Sequence, residues 1–127
     1  MTKEEYIFQF NMLQKEAEKM QEQLQIINQQ IAEFEILKLS LEKIENHKEE
    51  MLSSLGKGIF IKTKPLEKEL FVNIGNGIVL KKTTKDTEKI IEKQVKQLED
   101  IKQSLLTEIE KINMELQRVL EQAQNSK

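Results

Sequence analysis

Few residues of this sequence have the type and spacing that catalysis requires. His47 is the only histidine, and it lies near the predicted end of a long helix, where a cation interacts favourably with the helix dipole. The adjacent carboxylates Glu49-Glu50 and Glu99-Asp100 lie in charged, solvent-facing stretches, where nothing raises a carboxyl pKa toward acid–base work. The chain contains no Cys, which excludes thiolate metal sites and disulfides. We therefore predict no catalytic residue, no metal site and no enzyme, and a structural role for His47.

Two glycine-flanked segments, residues 56–58 and 75–77, lack the strand–loop–helix setting of a phosphate-binding loop.

The charge along the chain is uneven. Residues 51–85 carry seven lysines and two glutamates, whereas residues 1–50 have a net charge of −5 and residues 86–127 of −2. Nucleic-acid binding rewards a continuous basic face. A basic middle between acidic arms instead favours lysines that protect the edges of a small sheet.

The elements that must carry any function are two long helices. Charged residues make up 33% of the 127 residues and aromatic residues only 5%, a profile typical of solvent-exposed helices rather than of a compact enzyme core. Apolar residues recur in steps of four and three, the pattern of a coiled-coil seam. In the first helix the seam is Tyr6, Phe10, Leu13, Ala17, Met20, Leu24, Ile27, Ile31, Phe34, Leu37, Leu41 and Ile44, with two successive steps of three ending at Leu37.

The second helix repeats this pattern with one polar interruption, Lys102. Thr2 with Glu5 predicts a capping box at the start of the first helix, and Thr84 is the predicted N-cap of the second. The second seam consists of Ile91, Val95, Leu98, Lys102, Leu105, Ile109, Ile112, Leu116, Val119 and Ala123. Two heptad helices in one chain can fold into an antiparallel hairpin or can pair between chains, and periodicity alone does not decide between these arrangements.

The segment between the helices is rich in β-branched residues and turn signals. Residues 58–64 and 70–83 predict strands, with a tight turn at 75–77, and residues 51–55 are compatible with a strand or with the end of the helix. Three or four short strands bury little surface alone and leave open edges. Assembly through the sheet is therefore expected, and the intervening module favours the hairpin.

The order long helix, two β-hairpins, long helix resembles the subunits of prefoldin, and two hairpins rather than one are typical of the alpha class of archaeal type. The resemblance rests on residues 55–62 (LGKGIFIK), 70–80 (LFVNIGNGIVL) and 82–84 (KTT). Ser53 and Ser54 depart from the β-branched residues that the family often has in its first strand. The implied layout is a single subunit, residues 1–127, with a first helix in 1–50, a β-module in 51–83 and a second helix in 84–127.

The resemblance implies a function without a cofactor. Prefoldin is an ATP-independent holdase in which two alpha-class and four beta-class subunits join their strands into a β-barrel platform. Its coiled coils hold unfolded polypeptides at their tips and pass them to a group II chaperonin. For this chain it implies a cytoplasmic hetero-hexamer that binds neither nucleic acid nor membrane. The start of the sequence lacks the apolar run of a signal peptide, which is consistent with that expectation.

Near the N-terminus the apolar residues exceed what a two-helix seam can use, and a mixed aromatic and methionine surface can bind varied unfolded chains. The residues predicted to contact clients are Tyr6, Ile7, Phe8, Phe10, Met12, Leu116, Val119 and Leu120. The alternative is that Ile7, Phe8 and Met12 only form part of a broad packing contact between the helices at the chain ends. The residues predicted to mediate oligomerisation are Ile59, Phe60, Ile61, Leu70, Phe71, Val72, Ile74, Ile78, Val79 and Leu80.

Two other classes of function remain open at this point. One is a structural coiled-coil scaffold or a filament-forming prefoldin relative, which would assemble without binding clients. The other is a co-chaperone that resembles the bacterial nucleotide-exchange factor of the Hsp70 system. That family carries its β-domain after its helices, so the order of elements in this sequence disfavours it.

Overall fold

The computed structural model describes residues 1–46 and 50–125. Helix α1 spans Lys3–Asn46, and helix α2 spans Thr84–Asn125. Between them lie four strands, β1 (Met51–Gly56), β2 (Ile59–Thr63), β3 (Leu70–Gly75) and β4 (Ile78–Lys82). The predicted fold class, a helical hairpin with a β-module, is confirmed, and residues 51–55 form a strand rather than a helix end. His47 lies outside the described residues.

Both helices begin at a threonine that caps them. The backbone N–H of Glu5 donates to the Thr2 hydroxyl at 3.2 Å, as the predicted capping box requires. The N-cap of α2 is Thr83, because its hydroxyl accepts a hydrogen bond from the Asp86 N–H at 3.1 Å, and the prediction of Thr84 is wrong by one residue. Thr84 is buried, and its hydroxyl donates to the carbonyl of Lys68 at 3.4 Å.

The four strands form two separate antiparallel hairpins, β1 with β2 and β3 with β4. Each hairpin closes through a two-residue turn whose residues have positive φ: Lys57 (51°) with Gly58 (80°), and Asn76 (52°) with Gly77 (73°). Turns of this kind match the right-handed twist of the strands they join. The predicted tight turn at residues 75–77 is thereby confirmed.

The two hairpins are structural copies of one another at a spacing of nineteen residues. Met51 pairs with Thr63 as Leu70 pairs with Lys82, and the register shifts after Ser54 in one and after Asn73 in the other. The side chains of Ser54 and Asn73 both accept a hydrogen bond from the N–H two residues ahead, at 3.2 and 2.9 Å. The β-module therefore presents the same strand geometry twice.

The chain divides into two compact units, and the first combines residues 1–32 with residues 96–127. Within it the α1 seam from Tyr6 to Ile31 is half-buried, and the α2 residues Ile109, Ile112 and Val119 are buried. The opposite ends of the two helices thus share one apolar core, which confirms the intramolecular antiparallel hairpin.

The second unit comprises residues 33–95, with the end of α1, the β-module and the start of α2. Leu41 and Ile91 are its buried apolar residues among those described. Before Leu41 the seam position is occupied by Lys38, which is half-buried, whereas Leu37 is exposed. The Nζ of Lys38 lies 3.7 Å from a carboxylate oxygen of Glu92. The two successive steps of three therefore run through Lys38, Leu41 and Ile44, and the predicted seam position at Leu37 is wrong.

Candidate functional site

The seam residues near the chain ends pack the two helices of the first unit together. Tyr6, Phe10 and Leu116 are half-buried. Val119 is 1% exposed, the most buried large side chain in the described part of the chain. An apolar side chain that is this buried stabilises the helix pair by about 2 kcal/mol. Val119, although predicted to contact clients, is inaccessible to a client while the helices are paired.

The outer face of the first turns of α1 is apolar and open to solvent. Phe8 is 68% exposed and Met12 is 56% exposed. Met1, which the sequence analysis missed, is 65% exposed and lies beside them in a shallow hollow. Met1 precedes the N-cap Thr2 and the first helical residue, Lys3, so helical periodicity could not indicate its position. The hollow is lined by Met1, Thr2, Glu4, Glu5, Phe8, Gln9 and Met12.

Two further predicted contact residues, Ile7 and Leu120, are about half exposed. An exposed ion pair lies near Leu120 in the sequence: the Nε of Arg118 donates to both carboxylate oxygens of Glu115 at 3.1 Å, and its Nη2 also bonds Glu115. The hydrogen bonds from Arg118 lower the pKa of Glu115, and the same carboxylate raises the pKa of Arg118, with a smaller contribution from Tyr6. This end of the hairpin therefore combines exposed apolar side chains with a fixed charge pair.

The strands of the β-module leave much of their apolar surface uncovered. Of the ten residues predicted to mediate oligomerisation, Leu70 and Val72 are half-buried, and the other eight are exposed. Leu52 and Leu55 of β1 are equally exposed and were missed because the strand at 51–56 was ambiguous in the sequence. Each two-stranded sheet also has two unpaired edges in the described chain, and such edges are templates for pairing with another chain.

One lysine of the β-module is held by intramolecular carboxylates. The Nζ of Lys81 lies 2.8 Å from Glu67, 4.0 Å from Glu69 and 5.7 Å from the centre of the Phe71 ring. The hydrogen bond that Lys81 donates to the Glu67 carboxylate, together with the negative charge of Glu67, raises the pKa of Lys81. These contacts, with the bond from Thr84 to Lys68, hold the loop between the hairpins against β4 and the start of α2.

The part of the chain that the structure describes contains neither a candidate metal site nor a membrane-spanning helix. No cluster of three or more His, Cys, Asp or Glu side chains there has the geometry of a metal site. Every buried side-chain polar atom among the described residues has a hydrogen-bond partner. No helix within residues 1–46 and 50–125 is long and apolar enough to cross a membrane.

Comparison with known proteins identifies the family. The family model described as "Prefoldin subunit" matches residues 13–126. The chain belongs to the prefoldin family. The match covers α1 from Leu13 onward, the β-module and α2.

The relatives of this prefoldin chain include alpha subunits from archaea. Prefoldin subunit alpha of Pyrococcus horikoshii is 29% identical over 128 residues, a match that covers 95% of this chain and 86% of that protein. Prefoldin subunit alpha 1 of Thermococcus kodakarensis is 30% identical over 97 residues, 74% of this chain, and this match spans 66% of that relative, just under two thirds of its length. With two hairpins in the structure, these relatives confirm the predicted resemblance to the archaeal alpha type.

A solved structure supports the prefoldin fold. The chain resembles filamentous PFD from Methanocaldococcus jannaschii with a TM-score of 0.56 and 17% sequence identity, over 94% of this chain and 95% of that one. At this identity the likeness establishes the arrangement of helices and strands.

Proposed function

We propose that this chain is a subunit of an ATP-independent chaperone that holds unfolded polypeptides at the free ends of its helix pair. Membership of the prefoldin family and the alpha-type relatives support this function. The proposal needs no catalytic residue and no cofactor, since a holdase works by reversible contact.

The exposed outer face of α1 carries this proposal. Met1, Phe8 and Met12 lie outside the seam and are each more than half exposed, although an apolar cluster normally packs into a core or an interface. Methionine side chains are unbranched and polarizable, and so adapt to partners of different shape. A surface of this kind suits segments of unfolded protein, which have apolar side chains in common but no fixed shape.

The proposed client surface comprises Met1, Phe8 and Met12 at the start of the chain. It also includes Ile7 of α1 and Leu120 of α2, which are both about half exposed. Tyr6, Phe10 and Leu116 contribute only their exposed edges, because the seam covers the rest. The proposal omits Val119.

Light scattering from a denatured client tests the proposal. Guanidinium-denatured citrate synthase would be diluted without ATP into the full chain mixed with a beta-class prefoldin subunit. The same mixture would then contain the Phe8→Ser/Met12→Ser variant, which removes exposed apolar surface and leaves the seam intact. We expect the unmodified mixture to suppress scattering, and the variant to need several times more protein for the same suppression.

A matched control is available on the same helix. Ile36 and Leu39 are 64% and 58% exposed but belong to the second unit. The Ile36→Ser/Leu39→Ser variant removes a comparable exposed area, so we expect it to suppress scattering as the unmodified chain does. Equal suppression by both variants would place the client site elsewhere. An absence of suppression in every mixture would refute the chaperone function.

The exposed strand edges and apolar residues of the β-module support a second part of the proposal, assembly with other prefoldin subunits. The proposed assembly is a cytoplasmic hetero-hexamer of two alpha-class and four beta-class chains, joined through a β-barrel platform. The proposed destination of the client is a group II chaperonin. Size-exclusion chromatography of the mixed subunits with multi-angle scattering tests the stoichiometry.

A second candidate function is a structural scaffold or a filament. The open strand edges are compatible with end-to-end assembly, and the solved structure that the fold resembles is a filamentous prefoldin. A scaffold would assemble without holding clients. Negative-stain microscopy of the chain alone, combined with the scattering assay, separates the two functions.

A further inference from the structure

We propose that Met12 is a site of reversible oxidation, at which a peroxide converts the thioether to a sulfoxide and weakens the binding of unfolded chains. This inference rests on the proposed function, because it concerns the surface that contacts the client. It adds to that surface a modification site and the chemical class of its reagent.

The first observation is the distribution of sulfur in the chain. The sequence contains five methionines and no cysteine, so the thioethers are its readily oxidised side chains. Met20 and Met51 are half-buried. Met1, Met12 and Met114 are each more than half exposed, and all three belong to the first unit. The accessible sulfur is therefore concentrated in the unit that carries the proposed client surface.

The second observation is the place of Met12 in the hollow at the start of α1. Met12 and Phe8 both line this hollow. They are four residues apart within α1, so their side chains are neighbours on one face of the helix. The helix thereby fixes the position of Met12 beside Phe8, whereas Met1 precedes the helix. Met12 is therefore the thioether whose oxidation changes a fixed part of the client surface.

The reaction is a two-electron oxidation of the Met12 sulfur by hydrogen peroxide. A lone pair of the sulfur attacks one peroxide oxygen, and the S–O bond forms as the O–O bond breaks. The protonated sulfoxide then gives its proton to the departing hydroxide, which leaves as water. The sulfur is oxidised and the peroxide is reduced. A methionine sulfoxide reductase, with a dithiol as the electron donor, reverses the change.

A sulfoxide removes the property on which the proposed surface depends. The thioether is apolar and polarizable, and it adapts to partners of different shape, whereas the sulfoxide is polar. An apolar client side chain that covers the sulfoxide oxygen displaces water without offering a hydrogen bond, which is unfavourable. The oxidised surface therefore binds clients more weakly, while the seam on the other face of α1 keeps the helices paired.

The light-scattering assay tests this inference with a chain that is oxidised before assembly. The chain would be treated alone with hydrogen peroxide, freed of peroxide with catalase, and mixed with an untreated beta-class prefoldin subunit. Peptide mass spectrometry would give the oxidised fraction of each methionine, and far-UV circular dichroism would establish that the helices remain. We expect Met12 and Met114 to be oxidised faster than Met20 and Met51, because they are more exposed.

The treated chain should need roughly three times more protein for the same suppression of scattering. Incubation of the treated chain with methionine sulfoxide reductases for both sulfoxide epimers and dithiothreitol should restore the original dependence on protein concentration. A loss that the reductases do not restore would overturn the reversibility of the modification. Oxidation of Met12 no faster than that of Met20 would overturn its assignment as the reactive site.

Two leucine variants separate Met12 from an equally exposed methionine. Leucine has a similar volume to methionine but carries no sulfur, and each variant is compared with its own untreated sample. Met12→Leu should retain most of its suppression after treatment. Met114→Leu is the matched control, because Met114 is 66% exposed against 56% for Met12 but does not line the hollow. This control should remain as sensitive to peroxide as the unmodified chain.

A polar substitution tests the same site without any oxidant. Met12→Gln places a polar group of similar size beside Phe8, so its mixture should need roughly three times more protein for equal suppression. Unchanged suppression by Met12→Gln, or equal peroxide sensitivity of Met12→Leu and the unmodified chain, would overturn the inference. If the untreated mixture suppresses scattering and the treated one does so equally, the oxidation site alone is refuted. If the untreated mixture does not suppress scattering, the chaperone function is refuted and the inference with it.

Discussion

The hydroxyl of Thr83 accepts a hydrogen bond from the backbone N–H of Asp86 at 3.1 Å, and this contact caps α2. The next residue, Thr84, instead donates its hydroxyl to the Lys68 carbonyl at 3.4 Å. Two adjacent threonines therefore have separate roles, one at the helix terminus and one at the loop between the hairpins. Together they connect the β-module to the helix.

Replacement of Thr83 by alanine should lower the free energy of unfolding by about 1 kcal/mol, because the Asp86 N–H loses its acceptor. Thr83→Ser keeps a hydroxyl and should lower the free energy of unfolding much less. Urea unfolding followed by circular dichroism at fixed protein concentration would measure both. Thr107→Ala is a suitable control, since that hydroxyl bonds only the Gln103 carbonyl within the helix. A Thr83→Ala variant as stable as the control would exclude the capping role.

The fold was predictable from the sequence wherever a regular period or a turn signal determined it. Heptads specified both helices, and the Asn76-Gly77 dipeptide specified a tight turn with positive φ, as observed. Single-residue details were less predictable. Thr83 and Thr84 have the same side chain, and only the position of the loop at Lys68 decides which of them caps the helix.

The seam near the β-module shows a second limit of sequence analysis. Leu37 is the more apolar choice for a seam position, but it is exposed, whereas Lys38 is half-buried. The ammonium group of Lys38 lies 3.7 Å from Glu92. In the candidate client surface, composition predicted an apolar N-terminal end. It could not distinguish Val119, which is buried, from Leu120, which is exposed.

Val119 and Leu120 should respond differently to truncation because only one of them is buried. Val119→Ala should lower the free energy of unfolding by about 2 kcal/mol, the combined cost of lost burial and of a cavity. Leu120→Ala should cost less than about 1 kcal/mol but should weaken suppression of client aggregation. Chemical unfolding and the scattering assay, applied to both variants, would test this. The assignment is contradicted if Leu120→Ala is the more destabilising change.

The residues at one equivalent position in the turns of the two hairpins can be exchanged for one another. Lys57 and Asn76 occupy the same turn position, with φ of 51° and 52°, and asparagine tolerates this left-handed conformation better than lysine. We expect Lys57→Asn to raise the free energy of unfolding by about 0.5 kcal/mol and Asn76→Lys to lower it by a similar amount.

Thermal unfolding at a fixed protein concentration would measure the exchange, because subunit association makes the transition depend on concentration. Lys64→Asn, a change of the same type outside the turn, should leave the midpoint nearly unchanged. Shifts of the same sign in the two turn variants would show that φ at this position does not determine the stability of the hairpin.

Acidification should release the ion pair between Arg118 and Glu115. The Arg118 guanidinium lowers the pKa of Glu115 from its ordinary value of 4.5. A carboxyl whose pKa is lower in the folded state contributes stability above its ordinary pKa and loses it as the pH falls through the lowered value. The pair is exposed, so the contribution is small. The difference in thermal midpoint between the unmodified chain and Glu115→Gln should therefore be present at about pH 7 and should shrink as the pH falls below the ordinary pKa of 4.5. The control is Glu121→Gln, which removes an exposed carboxylate from the same helix. A difference in thermal midpoint that persists at low pH would mean that Glu115 stabilises the helix by something other than its charge.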